Sequence, residues 1–272
     1  MNRPVRDPVA VRPIQQLRDG SNRSVDDELV VEEPLEIRLG DDPIAVVMRT
    51  PGHDMELAVG FLFGEGILRD PDDLLAIEYC TDVTAEAAGN VVRVRAPAAD
   101  REAASKARRD VYASSSCGLC GKTTLDAVTL LAPPLTPPPT FSASLLAGLP
   151  ARLRKAQSVF ARTGGLHAAG LFSSAGDLLL AREDIGRHNA CDKVFGAMAM
   201  REIWPLPERI LVLSGRASFE MVQKAAMAGV GTVVAVSAPS SLAVDYARKA
   251  GMTLVGFARG ADMNVYNGEV RT

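Results

Sequence analysis

Along the second half of the chain, short runs of valine, leucine and isoleucine alternate with longer stretches whose apolar residues recur every three or four positions. Residues 210–213, 233–236 and 253–257 read as strands, and residues 189–200, 219–228 and 242–249 as helices. A hairpin is expected ahead of them, with strands at 168–172 and 178–181 around a turn at 174–177. Continuously apolar strands are buried on both faces, so the pattern predicts a mostly parallel sheet covered by helices on both sides.

The first half is patterned differently. Leu35, Ile37 and Leu39 alternate with charged residues, a Gly40-Asp41-Asp42-Pro43 turn follows, and 44–48 is a second apolar run, which together predict a hairpin. Asp54 is placed to cap a helix over 55–63 that Gly64 and Gly66 stop. Residues 91–95 read as another strand. The expectation is a flexible arm over 1–28 and a small α+β domain over 29–110. The proline run at 133–139 can continue neither a helix nor an interior strand, which makes 111–140 a connector. An α/β main domain then fills 141–272, and no internal repeat is evident.

A chain of 272 residues, 47% hydrophobic and 23% charged, can bury a sizeable core. A net charge of −3 argues against general nucleic-acid binding. No apolar run approaches bilayer length, and the arginine- and proline-rich start lacks the apolar core of a secretory signal. Four cysteines are too few for a disulfide framework, which points to a reducing, cytoplasmic setting.

Two of those cysteines stand in Ser114-Ser115-Ser116-Cys117-Gly118-Leu119-Cys120-Gly121-Lys122. Packing never requires a CxxC spacing; redox, metal or sulfur-transfer chemistry does. The small residues let the backbone bend, and residues 123–131 have helical spacing. Thiols at a helix N-terminus, with the Lys122 cation alongside, favour the thiolate. Cys80 and Cys191 read as buried or incidental, Cys191 at helical spacing from Val194 and Phe195.

Ligands of such sheets sit at the carboxyl ends of strands. There the chain places Ser214-Gly215-Arg216-Ala217-Ser218, Ser237-Ala238-Pro239-Ser240-Ser241 and Ala258-Arg259-Gly260-Ala261-Asp262. The first two are strand-to-helix turns, where Ser, Gly and Arg suit phosphate oxygens. Plain helix capping by Ser218 and Ser240 accounts for part of the same pattern. No GxGxxG or Walker sequence supports a conventional nucleotide fold. His167 closes an Arg-Thr-Gly-Gly-Leu-His run. His188 lies among Asp184, Arg187, Asn189, Asp192 and Lys193, a cluster that suits either a site or an ion-pair network at a helix start. His53 reads as a turn and cap residue.

Taken together, SSSCGLCGK, TGGLHAAG, REDIGRHNACDK, LSGRASFEMVQKA and GFARG resemble, in order, the formate dehydrogenase accessory sulfurtransferases of the FdhD/NarQ family. The resemblance implies a three-layer main domain similar to cytidine deaminases behind a smaller N-terminal domain, and a homodimer. It implies transfer of sulfur from a cysteine desulfurase to the molybdenum cofactor (bis-molybdopterin guanine dinucleotide) of formate dehydrogenase. Cys117 would carry the persulfide, with Cys120 as its partner in relay or resolution. Phe257, Ala258, Arg259, Gly260, Ala261 and Asp262 match the family's cofactor-binding segment. Ser214, Gly215, Arg216, Ser237, His167 and His188 are further candidates for cofactor contact, with GDP as a mimic and no resident metal.

Zinc-dependent deamination would need His-x-Glu and Pro-Cys-x-x-Cys elements. Here Ala190 stands two residues after His188, Ala169 two after His167, and Ser116 precedes Cys117. A thioredoxin-like oxidoreductase would place its CxxC after the first strand of a compact domain. A zinc module would need two more ligands from scattered residues. A chaperone that binds the molybdenum cofactor without moving sulfur is the remaining alternative.

Overall fold

A computed structural model describes residues 7–108, 132, 133, 135 and 137–272. Cys117, Cys120 and the helix expected at 123–131 lie outside the described residues. The first elements are β1 (Val9–Arg18) and β2 (Ser21–Val30), an antiparallel ribbon where a flexible arm was expected. Its two-residue Asp19-Gly20 turn has positive φ at both positions (49° and 75°), the conformation that lets a hairpin follow strand twist. The side chains are mostly polar and exposed, so no burial pattern announces the ribbon.

Next come β3 (Glu33–Leu39), β4 (Asp42–Arg49), α1 (Asp54–Gly64), β5 (Ala76–Tyr79), β6 (Val91–Arg95) and α2 (Arg101–Ala107). The four strands form a sheet of order β4-β3-β6-β5. Leu35, Ile37 and Leu39 turn to its covered face, as their alternation requires, and pack with Leu57, Phe61 and Leu62 of α1. Asp54 does not cap α1. Its carboxylate instead takes a bidentate pair from the buried Arg49 guanidinium (2.9 Å each), and His53 occupies the cap position with left-handed φ.

The chain returns with β7 (Phe141–Ser142), α3 (Ala143–Ala156), α4 (Ser158–Thr163), β8 (His167–Phe172), β9 (Leu178–Asp184) and α5 (Arg187–Ala199). It closes with β10 (Ile210–Leu213), α6 (Phe219–Met227), β11 (Thr232–Ala235), α7 (Ser241–Lys249), β12 (Thr253–Arg259), β13 (Asp262–Asn267) and β14 (Val270–Arg271). The main sheet has order β13-β12-β11-β10-β8-β9. It is mixed rather than mostly parallel: only β10–β11 and β11–β12 run parallel, and the other three pairings are antiparallel. Continuous apolar runs report burial on both faces, and the antiparallel β8 is buried just as β10 is, so direction is not written in the pattern.

Alternate residues of these strands feed two cores. Leu171, Leu211, Leu213, Val233 and Leu254 pack under α5, α6 and α7. Ala168, Ile210, Val212, Val234 and Val255 pack under α3 through Leu146, Leu149 and Leu153. The result is three layers. A further contact joins the two halves: α1 lies against the outer face of α5 at Gly60 and Gly196. A Cβ on Gly60 would stand 1.8 Å from the Asp192 carbonyl oxygen, and one on Gly196 equally close to that of Glu56. Backbones approach this closely only where both residues are glycine. Trp204 completes the seam, its ring 4.6 Å from Phe63 and 6.4 Å from Phe195.

Candidate functional site

At the carboxyl ends of β10, β11 and β12 the chain is laced into one surface. Ser237 N–H donates to Gly215 O and Phe257 N–H to Ser237 O, both at 3.2 Å, and Ala217 and Pro239 form an isolated bridge. Ser214 continues the β8 pairing: its N–H donates to Ala168 O (3.0 Å) and its hydroxyl accepts from Ala168 N–H (2.8 Å). This seats His167 beside Gly215, where a Cβ would meet the imidazole Nδ1 at 3.2 Å. The segment after β11 is a strand-to-helix turn, and Ser240 caps α7 through Ala243 N–H. After Phe257, β12 continues to Arg259 and folds back through Gly260-Ala261 into β13. At the bend Phe257 has φ 51° and is 42% exposed.

Beside this surface is a cavity of about 530 Å³. His167, Ser214, Val236, Ala258, Arg259 and Gly260 form one side, and α3 and α4 supply the other through Arg154, Gln157 and Phe160. Of the residues proposed from the sequence, His167, Ser214, Ala258, Arg259 and Gly260 meet there. Gly215, Arg216, Ser237, Phe257, Ala261 and Asp262 sit nearby without lining it. Arg259 is exposed, its Nε donating to Val236 O at 3.3 Å. His167 is half-buried, and burial, followed by the charges of Arg187, Arg216 and His188, holds its pKa below the usual 6.5. The ring is therefore neutral at pH 7, able to donate from one nitrogen and accept at the other.

The acidic and basic cluster around His188 proves to be chiefly a lock. Asp184 is fully buried. One carboxylate oxygen accepts from Gly186 N–H (2.8 Å) and Asn189 Nδ2 (2.9 Å). The other accepts from Thr50 N–H (3.2 Å) and pairs with Lys193 Nζ at 2.7 Å. Lys193 Nζ donates to Thr50 O (2.9 Å) and Asn189 Nδ2 to Met48 O (2.7 Å), so the motif grips the chain between β4 and α1. Asp192 pairs with Lys224 at 2.8 Å. His188 is itself buried, with Nε2 3.0 Å from Glu220 and 3.4 Å from the Ser218 hydroxyl, which does not cap α6.

The thiols divide cleanly. Cys80 and Cys191 are buried, and burial pushes both thiols above the usual cysteine range, so neither supplies a thiolate near neutrality. Among the described residues no three His, Cys, Asp or Glu side chains gather as a metal would need, and no helix is long and apolar enough to cross a membrane.

Sequence reasoning missed Arg154, Gln157 and Phe160. Their only local signal is that Leu146, Leu149 and Leu153 keep helical spacing through α3 despite Pro150 within it.

The fold matches a crystal structure of a protein assigned as a formate dehydrogenase accessory protein from Desulfotalea psychrophila, with TM-score 0.76, 24% identity, and coverage of 96% of this chain and 98% of that one. Sulfur carrier protein FdhD of Streptomyces avermitilis is 53% identical over 265 residues, 96% of this chain and 94% of the relative. The Mycobacterium tuberculosis protein of the same name is 49% identical over 245 residues, 88% of this chain and 89% of the relative. The FdhD/NarQ family model matches residues 30–272, both cores and every strand of the cavity wall included. With the family's pattern running through both halves and the seam between them, the chain belongs to the FdhD/NarQ family.

Proposed function

We propose that this protein is a sulfurtransferase. It takes sulfane sulfur from a cysteine desulfurase as a persulfide on Cys117 and delivers it to the molybdenum cofactor, bis-molybdopterin guanine dinucleotide, for formate dehydrogenase. The observation that carries the reading is the convergence of His167, Ser214, Ala258, Arg259 and Gly260, from three distant segments, on one cavity. The relatives named sulfur carrier protein FdhD support the sulfur half of it. The order β9-β8-β10-β11-β12, with helices on both faces, supports the likeness to cytidine deaminases. A homodimer belongs to the same proposal.

The chemistry balances within the chain. Cys120 thiolate attacks the Cys117 sulfur of the persulfide, and the bond to the terminal sulfur breaks. That sulfur leaves as hydrosulfide, and a Cys117–Cys120 disulfide forms. The two electrons that reduce sulfane sulfur to sulfide come from the two cysteines, and an external dithiol resets them. The cavity falls in the range of small-molecule sites and suits a nucleotide-sized part of the substrate. The remainder would extend over the exposed rim at Arg259, whose guanidinium suits a diphosphate.

Two variants test this and separate it from a chaperone that binds without moving sulfur. Arg259→Ala should still load persulfide on Cys117, yet bind GDP about ten- to hundredfold more weakly and fail to sulfurate the cofactor. Cys117→Ala should bind GDP normally and leave formate dehydrogenase inactive. Full activation of formate dehydrogenase by Cys117→Ala would refute sulfur transfer.

A further inference from the structure

Gln157 joins α3 to α4 and lines the cavity while only 4% exposed. Among the described residues nothing hydrogen-bonds its carboxamide, whereas the backbone around it is fully used: its N–H donates to Arg154 O and its carbonyl accepts from Ala161 N–H. Neither amide atom is sealed from solvent, so the carboxamide is open to a molecule that enters the cavity. Next to it, the Arg154 guanidinium lies 4.1 Å above the Phe160 ring. Guanidinium planes and aromatic faces are both surfaces on which a flat ring stacks. The wall is held in place, because Val159 and Phe160 N–H donate to the Glu183 carboxylate at 3.0 and 2.8 Å.

We propose that Gln157 binds the lactam edge of a fused heterocycle that stacks beside Arg154 and Phe160. A carboxamide offers one acceptor and one donor side by side, and so does a ring N–H next to a ring carbonyl. The inference rests on the reading of the preceding subsection, in which the substrate carries two kinds of such ring: guanine and pterin share this edge. Gln157 is then a specificity-determining residue, and it is paired only when substrate is bound.

The test uses the full-length protein and three probes: GDP, pterin and inorganic diphosphate. Calorimetry on wild type shows which ring the cavity takes. Gln157→Leu should weaken that ring-bearing probe about ten- to hundredfold while leaving diphosphate binding unchanged. Its melting temperature should stay level, because the carboxamide makes no hydrogen bond among the described residues and leucine is of similar size. Gln157→Met serves the same purpose if the leucine variant does not fold. Unchanged ring binding, or an equal loss for diphosphate, would overturn the role of Gln157. Wild type that binds neither ring would instead refute the reading of the cavity itself, and this inference with it.

Discussion

The seam between α1 and α5 and the cavity beside β12 treat their polar groups in opposite ways. At the seam, Arg49, Lys193, Lys224 and Arg182 are all shielded from solvent, and each meets a carboxylate between 2.6 and 2.9 Å. At the cavity, the Gln157 carboxamide has no partner among the described residues and Arg259 reaches a single carbonyl, while nearby Phe257 holds a backbone conformation that side-chain-bearing residues avoid. One region is complete in the free protein, and on our proposal the other is completed by a ligand. Substitutions should therefore damage stability at the seam and binding at the cavity.

The largest effect is expected at Gly60. Gly60→Ala forces two backbones apart, because its Cβ would sit 1.8 Å from a carbonyl oxygen that belongs to a packed helix. A loss of about 5 kcal/mol is expected in urea unfolding, beyond what most single substitutions cause. Lys193→Met should follow at about 3–4 kcal/mol, since it leaves the Asp184 carboxylate buried without its cation. If it cost less than 1 kcal/mol, the polar lock would not be what holds the halves together.

A smaller effect links the seam to pH. Burial works to raise the pKa of Glu56, but hydrogen bonds from Arg182 and His53 outweigh it and hold the carboxyl at about 2, below its ordinary 4.5. A depressed carboxyl stabilises the fold above its unfolded pKa. That contribution is whole above about pH 4.5 and disappears as pH falls toward about 2. Arg182→Gln should flatten this acid slope at a cost of about 1–2 kcal/mol near neutrality, read from urea unfolding between pH 6 and pH 3. The smallest effect has the opposite sign. Phe257→Gly should relieve a left-handed residue and gain up to about 1 kcal/mol, while GDP affinity falls.

The contrast also explains what could be read in the sequence. The helices and central strands of the main sheet were legible because burial on two faces demands unbroken valine and leucine, as at Ile210–Leu213. Strand direction was not, since an antiparallel buried strand such as β8 has the same composition. The ribbon of β1 and β2 carries charged, exposed side chains, and its Asp19-Gly20 turn was the one available cue. Dense polarity around Asp184 was visible as a cluster. Its partner Thr50 lies 134 residues away, and local spacing cannot report such a distance. Gln157 was invisible for a related reason: an unpaired carboxamide is a property of its surroundings, and glutamine at a helix junction is unremarkable until the cavity wall is in place.

The central claim is that sulfur rides on Cys117, because both described thiols, Cys80 and Cys191, are buried and none of the described residues that line the cavity is a cysteine. The most direct test is to incubate the protein with a cysteine desulfurase and cysteine and analyse its peptides by mass spectrometry without reduction. The account predicts one added sulfur atom on the peptide that contains Cys117, unchanged in Arg259→Ala and absent in Cys117→Ala. Added sulfur on the Cys80 or Cys191 peptide instead, or none on any cysteine while formate dehydrogenase is still activated, would contradict it.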